Sequence, residues 1–232
     1  LIEIPPASHQ PVGFSGIEYI RVGTYKKKLK EYPEKERALW ALFSETPFEA
    51  EIALPSASSD DVLALIDYSG AFRLLGIPPP DNRQAILQRL TAEKVIVPKP
   101  GKRFDITNIG AILFASDLRQ FTRLSRKSPR VVIYHGDNKT QTIKEHPDPA
   151  SDVPRPGYAV GFEALLAWIN DQLPQNEQLG QALRKKVRLY PEVAIRELVA
   201  NALIHQDFNI TGTGPMIELF DARMEVTNPG LP

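Results

Sequence analysis

The chain of 232 residues contains no cysteine. That excludes disulfides, thiolate zinc sites and a thiol nucleophile, and it fits a reducing compartment. Neither sign of charge is in excess: 28 basic side chains stand against 28 acidic ones, so any footprint for a nucleic acid has to be local. No apolar run approaches a membrane span, and "LIEIPPASHQ" lacks a basic n-region followed by an apolar h-region. The expectation is a cytoplasmic protein without a membrane partner. A Gly-x-x-x-x-Gly-Lys-Ser/Thr phosphate loop is also missing, because Gly101-Lys102 has neither the second glycine nor the hydroxyl residue. Duplex unwinding driven through such a loop is not expected. There is no fixed-period repeat.

What is present supports a folded chain. Hydrophobic residues make up 42% of the sequence, enough for one large domain or two to three small ones. The 21 prolines imply short elements with many stops. The chain opens on strand-like "LIEI" without a methionine and closes just after a strand-like run, so it reads as a piece of a longer protein.

Residues 1–4 and 17–22 read as strands, and "TYKKKLKEY" places Lys26, Lys27 and Lys28 together, either as a solvated turn or as a phosphate-binding patch. Pro33 opens a helix with acids in its first turn. From Ser58 to Val97 the pattern is helical: one helix capped by Ser59, a short one in "GAFRLLG", and a third in "PDNRQAILQRLTAEK". "VIVPKPGKRFDIT" then reads as two strands around a Pro-Gly turn. Three helices and a hairpin resemble a winged helix-turn-helix. Arg83, Gln84, Gln88 and Arg89 would line the outer side of the third helix, with Lys99, Lys102 and Arg103 on the wing. A helical packing module that touches no DNA is the alternative.

"RVVIYHG" and "KTQTIKEH" read as paired strands, "YAVGFEALLAWINDQL" as an amphipathic helix, and "PMIELFDARMEVTNPG" as two strands. Between them lies "YPEVAIRELVANALIHQDF", a helix expected over 191–207 and buried on most of its surface. Glu197, Asn201 and His205 follow one another at four-residue spacing, so they form one polar line along it. A carboxylate that handles a water beside an amide oxygen suited to Mg²⁺ makes chemical sense of that line. On the spacing alone, a half-exposed helix whose polar residues meet water is the simpler reading.

The residues around the line resemble the nucleotide-binding half of the GHKL ATPases, in which a Glu-x-x-x-Asn helix called the N box precedes two strands and a glycine-containing loop. More narrowly, the match is to a bacterial and archaeal family of RecG-related transcriptional regulators, with a hallmark close to "REALVNALIHRDY…IEIFDDRIEITNPGGLP". Arg196, Glu197, Asn201, Ala202, His205, Asp207, Asn228, Pro229, Gly230 and Pro232 match it; Gln206 replaces an arginine, and a single glycine precedes Leu231. "IPPASHQPVGFSGIEYIRVGTYKKK" resembles the end of a Schlafen-type AlbA domain, a nucleic-acid-binding module.

The resemblance implies an α+β protein in three parts. Residues 1–31 would be an AlbA-like remnant, 32–125 a winged-helix-like linker region, and 126–232 a truncated GHKL (Bergerat-type) α/β sandwich. It implies Glu197 as the carboxylate that activates water, Asn201 as the Mg²⁺ ligand, and Asn228 and Gly230 in the loop that contacts adenine, with Asn where the loop of the wider GHKL superfamily usually has Asp. His205 and Asp207 fall on the nucleotide side, where His205 either caps the helix end or contacts phosphate. The implied ligands are ATP, Mg²⁺ and DNA, with the fragment itself expected not to retain the nucleotide, and a homo-oligomer is open. Three functions remain: a nucleotide-responsive DNA-binding regulator, a DNA-binding scaffold with a degenerate GHKL fold, and a GHKL ATPase driving a dimerisation cycle.

Overall fold

The computed structural model describes residues 11–44, 47–173, 175–179, 184–188 and 190–230. The strand expected over 1–4 lies outside them. The architecture is α+β, with several small sheets, and the chain divides into two compact units, 1–48 and 49–232. Among the described residues no helix is long and apolar enough to cross a membrane.

The first unit contains an antiparallel sheet of β1 (Gly13–Phe14), β2 (Ile17–Val22) and β3 (Tyr25–Lys28), followed by α1 (Pro33–Ser44). Gly16 and Gly23 adopt φ of 74° and 60° at the two turns, a conformation that glycine takes without a Cβ clash. Lys26 and Lys28 pair with Arg21 and Tyr19, so these four share one face of the sheet while Lys27 lies on the other.

The second unit begins with β4 (Ile52–Ala57), then α2 (Ser59–Leu65), α3 (Tyr68–Leu74) and α4 (Arg83–Ala92). A hairpin of β5 (Ile96–Lys99) and β6 (Arg103–Thr107) follows. The strand order is β4-β6-β5, so the hairpin closes onto the strand that precedes the helices. The cap of α2 is Ser58, not Ser59. The Ser58 hydroxyl accepts from the Asp61 N–H at 3.1 Å and the Ser58 N–H donates to the Asp61 carboxylate at 2.8 Å, a reciprocal pair that the neighbouring serine is out of register to make. Val62, Ile66, Phe72, Leu90, Ile96, Ile106 and Ile112 build the core here.

After α5 (Asn108–Phe114) come β7 (Arg130–Tyr134), β8 (Thr142–His146), α6 (Tyr158–Gln172), the hairpin β9 (Gln175–Leu179) and β10 (Arg184–Arg188), α7 (Glu192–Ile204), β11 (Met216–Leu219) and β12 (Met224–Thr227). The sheet order is β12-β11-β7-β8, with only the central β11–β7 pair parallel. Val131, Ile217 and Val226 are register partners or neighbours and share the face on which His146 stacks against Trp168 of α6 at 4.5 Å. Leu165, Leu166, Ile169, Ile195, Val199 and Leu203 are buried on α6 and α7.

Candidate functional site

The expected helix over 191–207 is shorter in the structure: α7 ends at Ile204, and His205 is its C-cap, with its N–H donating to the Asn201 carbonyl at 2.9 Å. The expectation that most of its surface is buried is also corrected. Ile195, Val199, Ala202 and Leu203 face the core, but Val193 is 77% exposed, Ile204 66% and Leu198 47%. Val193 and Leu198 read as buried from their apolar character, because exposed apolar residues at helical spacing look the same as buried ones. The polar line lies on this open side. Glu197, Asn201 and His205 are all exposed, and the Asn201 side-chain amide donates to the Glu197 carboxylate at 3.3 Å.

Asp207, two residues beyond the cap, is where the second half of the pattern arrives. Its backbone N–H donates to the Pro229 carbonyl at 2.7 Å. Gly230 has φ of 133°, and a Cβ there would lie 3.2 Å from the Asp207 nitrogen and 3.4 Å from its Cβ. Two segments twenty residues apart thus meet backbone to backbone: the end of α7 and the loop carrying Asn228 and Gly230. The Asp207 carboxylate turns inward on its own loop, accepting from the Asn209 N–H at 2.9 Å.

Three residues that hold this junction were not legible as site residues. Lys127 is 2% exposed, and its ammonium donates to the carbonyls of Ile210 at 2.8 Å and Asp207 at 3.3 Å. Burial pushes its pKa below the ordinary lysine value, with the Asp207 charge acting the other way. The Tyr158 hydroxyl donates to the Lys127 carbonyl at 2.6 Å, and the buried Gln206 amide donates to the Tyr158 oxygen at 2.9 Å. Burial raises the Tyr158 pKa, so it stays a neutral donor. In sequence, Lys127 sits in "SRKSPR", which looks like a solvated charge run. Gln206 was the only flagged position, as the residue standing where the resemblance has arginine.

The residues expected to touch DNA divide into three groups. Arg83, Gln84, Gln88 and Lys102 line one open groove between α4 and the β5–β6 hairpin, a space of about 640 Å³. Arg83 also pairs with Asp60 on the rim. Arg89 lies outside that groove and pairs with Glu93 at 3.1 Å; Arg103 donates to the Ser56 carbonyl at 3.3 Å. Lys99, on the hairpin, is held by Asp105 at 3.0 Å. Lys26, Lys27 and Lys28 belong to the other compact unit and are exposed there. Among the described residues no three His, Asp or Glu side chains form a cluster that would hold a metal ion by themselves.

No family model matches the chain, and no curated protein matches it. Among solved structures it is similar to the DIP2311 protein from Corynebacterium diphtheriae, with 19% identity and a TM-score of 0.51 over 94% of this chain. The chain spans about two fifths of that protein's length, since the match covers 40% of it. At this identity the likeness shows the fold alone.

Proposed function

We propose that this chain is part of a DNA-associated, ATP-responsive regulator of the RecG-related type. In this reading the open side of α7 and the 228–230 loop form one wall of a GHKL nucleotide cleft, and residues 52–107 form a winged helix-turn-helix. The observation that carries the reading is the hydrogen bond from the Asp207 N–H to the Pro229 carbonyl. It joins the end of the Glu-x-x-x-Asn helix to the loop after the second strand, the two pieces that the resemblance requires to stand on one cleft.

The residues present fit Mg-ATP. Mg²⁺ enters such a site on the phosphates and needs only one or two protein oxygens, so a full protein cage is not required. Asn201 donates its amide N–H to Glu197 and leaves its carbonyl oxygen available for the ion. Glu197, exposed and one turn away, would be the group that takes a proton from the attacking water. Bound Mg-ATP would supply the phosphoanhydride and the charge neutralisation. Asn228 would accept from or donate to the base edge.

Two experiments test the halves separately. Mg-ATP is titrated calorimetrically into the chain, alone and in the longest natural form that contains it. Heat without turnover supports the regulator. Turnover that disappears in Glu197→Gln supports the ATPase cycle instead. No heat in either form sinks both and leaves a DNA-binding scaffold. For DNA, Lys102→Ala and Gln88→Ala are expected to weaken a duplex gel shift more than Arg89→Ala, because only the first two positions face the groove. Losing the Lys102 contact is expected to lower the salt slope by about 1. Equal effects at all three positions would remove the groove from the account.

A further inference from the structure

We propose that a cavity at the N-terminal ends of β7 and β11 is a binding site for a small phosphate ester. The cavity, about 280 Å³, is lined by Arg126, Arg130 and Arg155, by Ser128 and Thr213, and by a single acid, Glu145. Glu145 is already committed: Arg130 donates to its Oε1 from Nε at 2.7 Å and from Nη2 at 2.6 Å. Two guanidinium groups are left over. Neither the Arg126 nor the Arg155 side chain has a hydrogen bond or ion pair with any described residue, and the Arg155 Nε is buried without a partner. A buried guanidinium N–H with nothing to donate to is an unmet demand. The Ser128 side chain, 7% exposed overall, and Thr213 likewise bring hydroxyls that bond to no described group.

The donor set selects the ligand class. A planar carboxylate is satisfied by one guanidinium fork. Two guanidinium groups from different segments, with two hydroxyls on the same lining, match a tetrahedral oxyanion, which presents three terminal oxygens in three directions. The volume, at the lower edge of small-molecule sites, admits a phosphate with a short organic tail and no dinucleotide.

The walls are preformed. A Cβ on Gly214 would lie 2.8 Å from the carbonyl oxygens of both Arg126 and Lys127, so the 212–214 loop is pressed backbone to backbone against the segment that carries Arg126. Gly212 allows the approach with φ of 80°. Pro147 and Pro149 stiffen the far side. The backbone that carries Arg126 and Thr213 is thus fixed before an anion enters, while both side chains are exposed. The same loop continues from Asp207 and Ile210, which Lys127 ties down, so occupancy of the cavity is linked to the 207–230 junction. That linkage rests on the nucleotide reading above; the binding does not, because the cavity shares no residue with the open side of α7.

The test is calorimetric titration of the whole chain with inorganic phosphate, glycerol 3-phosphate and AMP, with succinate as the carboxylate comparison. Phosphate and glycerol 3-phosphate are expected to bind at one site, and succinate to give no heat. Arg126→Gln and Arg155→Gln are each expected to weaken binding about tenfold or more, the usual worth of one charged hydrogen bond. Ser128→Ala, which removes a single hydroxyl, serves if either arginine variant fails to fold. Glu197→Gln is expected to leave phosphate binding intact even where Mg-ATP binding changes, which separates failure of this site from failure of the nucleotide cleft. Absence of heat with every phosphate probe overturns the proposal. So does an affinity unchanged in the Arg126→Gln/Arg155→Gln double variant, or succinate binding as tightly as phosphate.

Discussion

Lys127→Met is expected to lower the unfolding free energy of the 49–232 unit by about 3 kcal/mol, a drop of roughly 10 °C in midpoint for a unit of this size. The methionine keeps most of the volume and removes the donor. The carbonyls of Asp207 and Ile210 then lose their ammonium partner in a site where the lysine is 2% exposed. Part of the loss is offset, because a desolvated cation disappears with the side chain. The sign of that offset is visible in pH. Burial lowers the Lys127 pKa in the folded state, so below the ordinary lysine value the unfolded chain binds more protons there than the folded one. Stability therefore rises with pH as the folded-state pKa is passed, and the rise stops at the unfolded value. Thermal melts taken up to the alkaline range should show the increment in the wild type and its absence in Lys127→Met. Equal midpoints for the two proteins at neutral pH would mean that Lys127 holds nothing in place. The functional consequence follows from position: with Lys127 gone, the loop that receives Pro229 is free to move off the end of α7.

Gly157→Ala is expected to be as damaging, for a steric reason. Gly157 caps α6, and its N–H donates to the Ala115 carbonyl at 2.8 Å. A Cβ there would lie 2.6 Å from the carbonyl carbon and oxygen of Leu113 and 2.7 Å from the Phe114 nitrogen. All three are backbone atoms, so no rotamer change relieves the contact. Its φ of −60° is open to any residue, which isolates the clash as the cause. We expect a loss of about 3 kcal/mol, at the upper end for overpacking, read as a shift in denaturant midpoint at constant slope. Gly76→Ala is the comparison. Its φ is 66° and nothing lies within 4 Å of the new methyl, so only conformational strain of about 1 kcal/mol should appear. If the two variants melt alike, the close approach of α5 and the start of α6 is looser than described. Gly157 also sets where the proline-rich connector enters α6, and Arg155 of the phosphate cavity lies just before it.

Much of the fold was legible because the relevant physics is local. The flanking Gly16 and Gly23 marked β2, a continuous apolar run marked β7, and alternation marked β8; periodic apolar residues marked α4 and α6; the Pro-Gly turn located the β5–β6 hairpin. The misses have physical causes. β4 was overlooked because "IALPSA" does not alternate, carries Pro55, and bends through Ser56 at φ of 54°. Its partner β6 lies far along the chain, and long-range pairing leaves no local mark. For the same reason the parallel pairing of β11 with β7 was invisible. The hairpin of β9 and β10 hid in a polar interval. The site was half legible. Spacing placed Glu197, Asn201 and His205 on one line, and the resemblance supplied Asn228 and Gly230. What joins them is a backbone hydrogen bond at Asp207 and a buried lysine, and neither has a side-chain pattern to announce it. The exposure of Val193 and Leu198 was misjudged because sequence shows polarity, not which side of a helix is covered.

The central claim is that the open side of α7 and the 228–230 loop face one nucleotide. Amide hydrogen exchange, with and without Mg-ATP, on the longest natural form containing this chain tests it most directly. The expected result is added protection in two separate stretches at once, 197–207 and 227–230, with little change along β4, α4 and the β5–β6 hairpin. Protection confined to other segments, or exchange unaltered by Mg-ATP at concentrations where calorimetry detects binding, would contradict it.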